Sequence, residues 1–170
     1  MNKLIKSLLF TIAFAAMTVS VQAQKFGFIN SQELISQLAE VKEANAKIET
    51  LKKQLQKKGQ DMITALQAKY TDLQKKQTDG VLSPKEVETQ AAILKTEEVT
   101  LGEFEQTSQQ KIYEKSEELL SPIQIKINNA IKEVAIDNGY TYIFDTSMGL
   151  VLYADPGTDV TSLVKTKLGL

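Results

Sequence analysis

The feature that most constrains this chain is the run from Ser31 to Asn138, where apolar residues recur at heptad spacing. Its first half carries Leu34, Leu38, Val41, Ile48, Leu55, Met62, Leu66 and Leu73. Steps of three, four or seven residues set these along one seam of a helix. At ~1.5 Å per residue, one helix from Ser31 to about Thr78 is ~70 Å long, beyond an ordinary globular helix. Asn45, Lys52, Gly59 and Lys69 fall on the same seam and interrupt it.

Near the middle the pattern stops at "QTDGVLSPKEVE", Gln77 to Glu88. Asp79-Gly80 favours a turn. Ser83-Pro84-Lys85-Glu86 restarts the helix, with Ser83 as N-cap, Pro84 at the first helical position and Glu86 completing a capping box. The return helix carries Val87, Ala91, Leu94, Leu101, Ile112, Leu119, Ile123, Ile127, Ile131 and Val134. Pro122 is expected to kink it, and Asn138-Gly139 to end it. The expectation is an antiparallel coiled-coil hairpin over 31–138 with its tip near 79–83. Charge agrees with an antiparallel pair. Residues 31–78 hold 9 Lys and 6 acids, whereas 84–138 hold 6 Lys and 11 acids. With the turn centred near Val81, Lys57 and Lys58 lie level with Glu103 and Glu105, and Lys75 and Lys76 with Glu86 and Glu88. Gly59 and Gly102 fall at nearly one level, which suggests a flexible point in the arm.

The first 23 residues are expected to be a cleaved secretory signal. Lys3 and Lys6 precede an uncharged stretch from Ser7 to Val21, and Val21-Gln22-Ala23 has the shape of a signal-peptidase site. The expected location is the periplasm. The sequence holds no Cys, His, Arg or Trp, and all 20 basic residues are Lys. Disulfides, thiol chemistry and a cysteine-linked lipid anchor are therefore excluded. Residues 24–170 hold 18 Lys against 21 acids, a net of −3 that offers no basic footprint for nucleic acid. The commonest acid–base and nucleophilic side chains are missing, and no phosphate loop or nucleophile turn frames those that remain. Glu97-Glu98 and Glu117-Glu118 are adjacent on helices and point ~100° apart. No enzyme, cofactor or metal is expected.

The remainder makes a small head, residues 24–30 plus 139–170. "KFGFIN" reads as a strand with Phe26 and Phe28 on one face and Gly27 and Ile29 on the other. Asn30 and Glu33 fill the N-cap and capping-box positions of the helix that follows. "YTYIFDTS" and "LVLYAD" read as two further strands, and Thr158 or Asp159 caps a last helix with Val160, Leu163, Val164 and Leu168. The fold class is thus α+β, with about three head strands per chain. A unit near 40 residues seldom stands alone without metal, disulfides or partners. Head residues Phe26, Phe28, Ile29, Tyr142, Phe144, Val151 and Tyr153 are the expected oligomerisation surface, closing a β-core shared between copies.

The order short strand "FGFINSQELI", long hairpin, "NNAIKEVAIDNGYTYIFD", then "LVLYADPGTDVTSLV" resembles the Skp/OmpH family of periplasmic chaperones. The C-terminal block is the specific part; the hairpin matches by length and pattern. The resemblance implies a homotrimer whose heads form a joint β-barrel. Its three arms enclose unfolded outer-membrane proteins after export, without ATP. A transient contact with the membrane surface belongs to the same expectation. Well-known members are strongly basic, with a basic patch proposed for lipopolysaccharide; this acidic, Arg-free chain departs from that, so no such site is carried over. A holdase needs weak, plural, apolar contacts. Met62, Leu66, Val81, Leu82, Leu94, Leu101 and Phe104 are the candidates for contact with client, though the hairpin seam competes for most of them. A structural or adaptor coiled coil of the cell envelope is the alternative.

Overall fold

The computed structural model describes residues 24–170. The expected signal segment, 1–23, lies outside the described residues. The elements are β1 (Phe26–Ile29), α1 (Ser31–Gln37), α2 (Ala39–Thr78), α3 (Pro84–Asn138), β2 (Tyr142–Asp145), a 3-10 turn (Pro156–Thr158) and α4 (Thr161–Leu168). The two strands pair in parallel, Phe26 with Tyr142 through Ile29 with Asp145. Parallel neighbours need a crossover connection, and here the crossover is the entire helical arm.

The head holds two strands rather than three. Phe28 makes an isolated bridge with Asp159 on the far side of β1, while Leu150–Asp155 forms no strand. A strand needs a partner edge, and this segment pairs with neither β1 nor β2. Gly27 is required by close approach. A Cβ there would stand 3.0 Å from the Tyr140 ring and 3.1 Å from Val160 Cγ1.

The outbound helix is not continuous. Leu38 is extended, with φ −67° and ψ 121°, and separates α1 from α2. The sequence reading missed this because no Gly or Pro marks it. Leu38 is an apolar seam residue buried in the core with Leu34, Val41, Ile127, Val134 and Val160. The break lets α1 turn into the head while α2 follows the arm, so tertiary burial overrides local propensity. Asn30 caps α1 by accepting from Glu33 N at 3.1 Å. The expected box stays open, however, because the Glu33 carboxylate accepts from Lys165 of α4 instead, at 3.0 Å.

The hairpin tip forms as its residues dictate. Gly80 takes φ +68°, the left-handed conformation that glycine alone adopts at no cost. The Ser83 capping box is complete, with Glu86 N donating to Ser83 Oγ at 3.4 Å and Ser83 N donating to Glu86 Oε2 at 2.8 Å. The α3 helix then runs unbroken through Pro122 to Gly139, which closes it at φ +69°. Asp159 precedes α4 and accepts from Thr161 N at 2.8 Å, with Val160 at the cap position itself.

The expected charge pairs are displaced along the arm. The cross-hairpin ion pairs are Lys69–Glu97 and Lys126–Glu40, each 2.6 Å. Both lie about one turn from the level set by a turn centred at Val81. The reason is directional. Side chains lean toward their own helix N-terminus, and in an antiparallel pair the two leans converge, so a residue meets a partner a turn nearer the head. Lys58 keeps the undisplaced level, 5.3 Å from the centre of the Phe104 ring, and Lys76 bonds Asp72 on its own helix at 2.7 Å.

Candidate assembly and client-binding surfaces

Strand alternation sorts the head residues into two sets. Ile29 is 2 % exposed and lies in the chain's own core, with Ile143 packed against that core. Ile29 thus has no surface left for a second copy, which corrects its place among the oligomerisation residues. Phe26, Tyr142 and Phe144 point the other way and stay exposed, with Phe28 half-buried. Phe26 stacks on Tyr142 with ring centres 5.8 Å apart; Phe144 lies 6.1 Å from Phe26 and 6.2 Å from Tyr142. The segment that follows β2 is bare and apolar as well. Leu152 is 97 % exposed and Tyr153 84 %, with Val151 half-buried.

A polar knot anchors the sheet to the arm. The Asp145 carboxylate accepts from Ser31 N at 3.2 Å, from Ser147 N at 2.9 Å and from the Ser31 hydroxyl. Burial pushes the Asp145 carboxyl upward. The bonds from the Ser31 hydroxyl and from the Ser147 and Ser31 N–H groups outweigh it and bring the pKa below the ordinary value.

Along the arm, Leu94 is buried in the helix–helix seam and is withdrawn from the client-contact set. Met62, Leu66, Leu101, Phe104 and Leu82 are half-buried. Met62, Leu66 and Leu101 share a small cavity of ≈ 250 Å³ with Lys69 and Glu97. Val81 at the tip is 67 % exposed. The sequence reading followed the seam and so missed Ile93, Val99, Tyr113 and Ile125, all exposed. Their signal was available: they are large apolar residues that fall off the seam spacing.

Two further features mark the arm's middle. Lys69–Glu97, the Tyr70 hydroxyl donating to Glu98 at 2.9 Å and Lys95 donating to Glu98 at 2.6 Å form one polar clasp between the helices. The bonds from Lys95 and then Tyr70 hold the Glu98 carboxyl below its usual range. The bond to Glu98 raises the Tyr70 phenol. Nearer the head, Gly59 and Gly102 line one open cleft of ≈ 820 Å³ with Phe104 and Ser108. The two glycines thus share a level, as expected. Among the described residues no cluster of acidic or other ligating side chains could hold a metal, and no helix is long and apolar enough to cross a membrane.

Comparison with known proteins agrees with this layout. Residues 25–168 match the family model "Outer membrane protein (OmpH-like)". The chain is 32% identical over 160 residues to the protein named Chaperone protein Skp from Yersinia enterocolitica, covering 89% of each chain. It also superposes on the crystal structure of an OmpH-like outer membrane chaperone from Caulobacter crescentus CB15. The TM-score is 0.72 at 21% identity, over 86% of this chain and 84% of the other, which supports the fold. A small head bearing one long helical hairpin, matched nearly end to end by these relatives, places the chain in the Skp/OmpH family, a family of chaperones rather than enzymes.

Proposed function

We propose that this protein is an ATP-independent periplasmic holdase, exported by residues 1–23. It assembles through its head and keeps unfolded outer-membrane proteins from aggregating between its arms. The observation that carries this reading is the uncovered apolar surface of the head. Phe26, Tyr142 and Phe144 form one exposed face, and Leu152 and Tyr153 are exposed too, in a unit too small to leave such a surface in water. A neighbouring copy covers it, with Leu150–Asp155 finding there the strand pairing it does not make within its own chain. The apolar face requires more than one copy; three is the number the family resemblance implies. The arms then stand side by side. Val81, Leu82, Met62, Leu66, Leu101 and Phe104, joined by Ile93, Val99 and Tyr113, supply dispersed apolar contacts of the kind a client without fixed structure can use. The many Lys and Glu side chains between them keep the arms in solution.

The test is the mass of the 24–170 protein in solution, alone and after an unfolded outer-membrane β-barrel protein is diluted into it from urea. The expected result is a trimer, then a trimer with one client. A monomer sinks the shared head. Capture of one folded envelope partner, with unfolded chains ignored, favours an adaptor. In the trimer, changing Val81 and Leu82 together to Ser should leave the mass unchanged and weaken client retention severalfold.

A further inference from the structure

We propose that the cleft midway along the arm is a slot for a short extended segment of an unfolded polypeptide, gripped by its main-chain amides as well as by its side chains. This rests on the holdase reading and assigns it a place. The cleft opens between α2 and α3 with a volume of ≈ 820 Å³. Its floor is apolar, built from Leu55, Ile63, Phe104 and Ile112. Its lining on α2 extends from Lys52 to Ile63, a distance of ~17 Å along the helix, which five residues of extended chain also span at ~3.3 Å each.

The polar groups of the cleft are the informative part. Ser108 is 8 % exposed, and its hydroxyl has no hydrogen-bond partner among the described residues. An unsatisfied buried hydroxyl is uncommon and costly; this one belongs to the cleft's lining but is closed to solvent, so a segment seated there pairs with it as the two helices part. Gln56, Gln60, Gln106 and Gln109 also line the cleft. A carboxamide carries both a donor and an acceptor, as every peptide group does, so side-chain amides can pair with a backbone of any sequence. The two charges at the cleft, Lys52 and Glu105, are of opposite sign, so no one client charge is selected. That combination, an apolar floor under amides, suits a chain held without regard to its sequence.

The glycines explain why the space exists. Glycine is a poor choice inside a helix, yet Gly59 and Gly102 sit on facing helices at this cleft. A Cβ on Gly102 would meet nothing within 4 Å. Phe104 leans across to the Gly59 position, 3.5 Å from where its Cβ would be. Gly59 thus makes room for the Phe104 ring, and the absent side chain at Gly102 leaves the opening.

Gly102→Leu is the direct test, because it fills open space with a strong helix former. The probe is an unfolded outer-membrane β-barrel protein, fluorescently labelled and diluted from urea into the assembled 24–170 protein. The expected result is a five- to tenfold loss of affinity, with thermal midpoint unchanged or raised and assembly mass unchanged. Ser108→Ala should weaken the same binding two- to fourfold. A photo-crosslinker on Gln106→Cys, the only thiol in the chain, should label the client, and Gly102→Leu should abolish that label while a crosslinker on Val81→Cys still reacts. Wild-type affinity in Gly102→Leu overturns the slot and leaves the holdase reading standing. If Gly102→Leu disturbs assembly, Ser108→Ala decides, and unchanged affinity there overturns the slot. A wild-type protein that holds no unfolded client removes the holdase reading and the slot with it.

Discussion

The two ends of one arm are packed by different rules. At its root, Leu34, Leu38 and Val41 share one core with Ile127, Ala130 and Val134, and Ala44 and Ile48 just beyond are buried as well. Farther out, only Leu73, Leu94 and Ser108 reach that state among the described residues. The helices are the same two throughout, so helix formation is not what separates the regions. The root has the head to pack against, with Val160 and Val164 completely buried in it. The outer arm has only its own partner helix. There Lys52, Gly59 and Lys69 stand where apolar seam residues would otherwise stand, and polar clasps and an open cleft fill the interval. A two-helix hairpin buries one stripe of each helix and exposes the rest. The comparison teaches that the root supplies rigidity, while the outer arm keeps apolar residues half-available. That division suits the proposed holdase, which would assemble at the root and hold clients along the arm.

The largest effect should separate the two regions directly. Leu34→Ala at the root is expected to cost ~3–5 kcal/mol, and Leu94→Ala in the outer arm ~2 kcal/mol. Both are measured by denaturant unfolding at one fixed protein concentration, since assembly makes stability concentration-dependent. Equal losses would erase the distinction between root and outer arm.

Next in size is the tip. Ser83→Ala removes the capping box and should cost ~1 kcal/mol. Hydrogen exchange is the sensitive readout. Amides from Ser83 to about Val87 should speed up while those near Val134 do not change. Faster exchange at the root would mean that the arm unfolds as one unit.

The smallest effect concerns the Asp145 knot. Its folded pKa is depressed, so the stability it contributes is fully present above the ordinary aspartate value of ~3.9 and is lost as pH falls through the folded value. Asp145→Asn should therefore lower the thermal midpoint at pH 7, and the gap from wild type should narrow below about pH 4. A gap that stays constant down to pH 2 would remove the carboxylate from this role.

Much of this architecture was legible in the residues. Ser83, Pro84 and Glu86 act within one turn of helix, as does Gly139 at the end of α3, and each performs the local role its chemistry predicts. The failures share one cause. Leu38 interrupts a helix without a breaker, and Leu150–Asp155 has strand composition but no strand. Ile29 and Leu94 are apolar residues whose side chains turn inward. In each case what decides is not local: Val160 and Val134 for the head, the facing helix for Leu94, and the want of a paired sheet edge for Leu150–Asp155. The displaced ion pairs have a different origin. Matching Cα levels ignored the lean of long side chains, and Lys69 meets Glu97 a turn away from the level first expected.

The sequence by itself determined the long hairpin, its tip, the helix caps, and a small head rich in aromatic residues. Those conclusions rest on periodicity, capping and composition, which act over a few residues or over the whole chain at once. Only the tertiary structure decided that β1 and β2 lie parallel with the arm as their connection, that Ile29 faces inward while Phe26 faces out, and that Gly59 and Gly102 leave a cleft beside an unpartnered Ser108. Those outcomes depend on which surfaces meet, and residues more than a hundred positions apart settle that by shape and solvent exclusion.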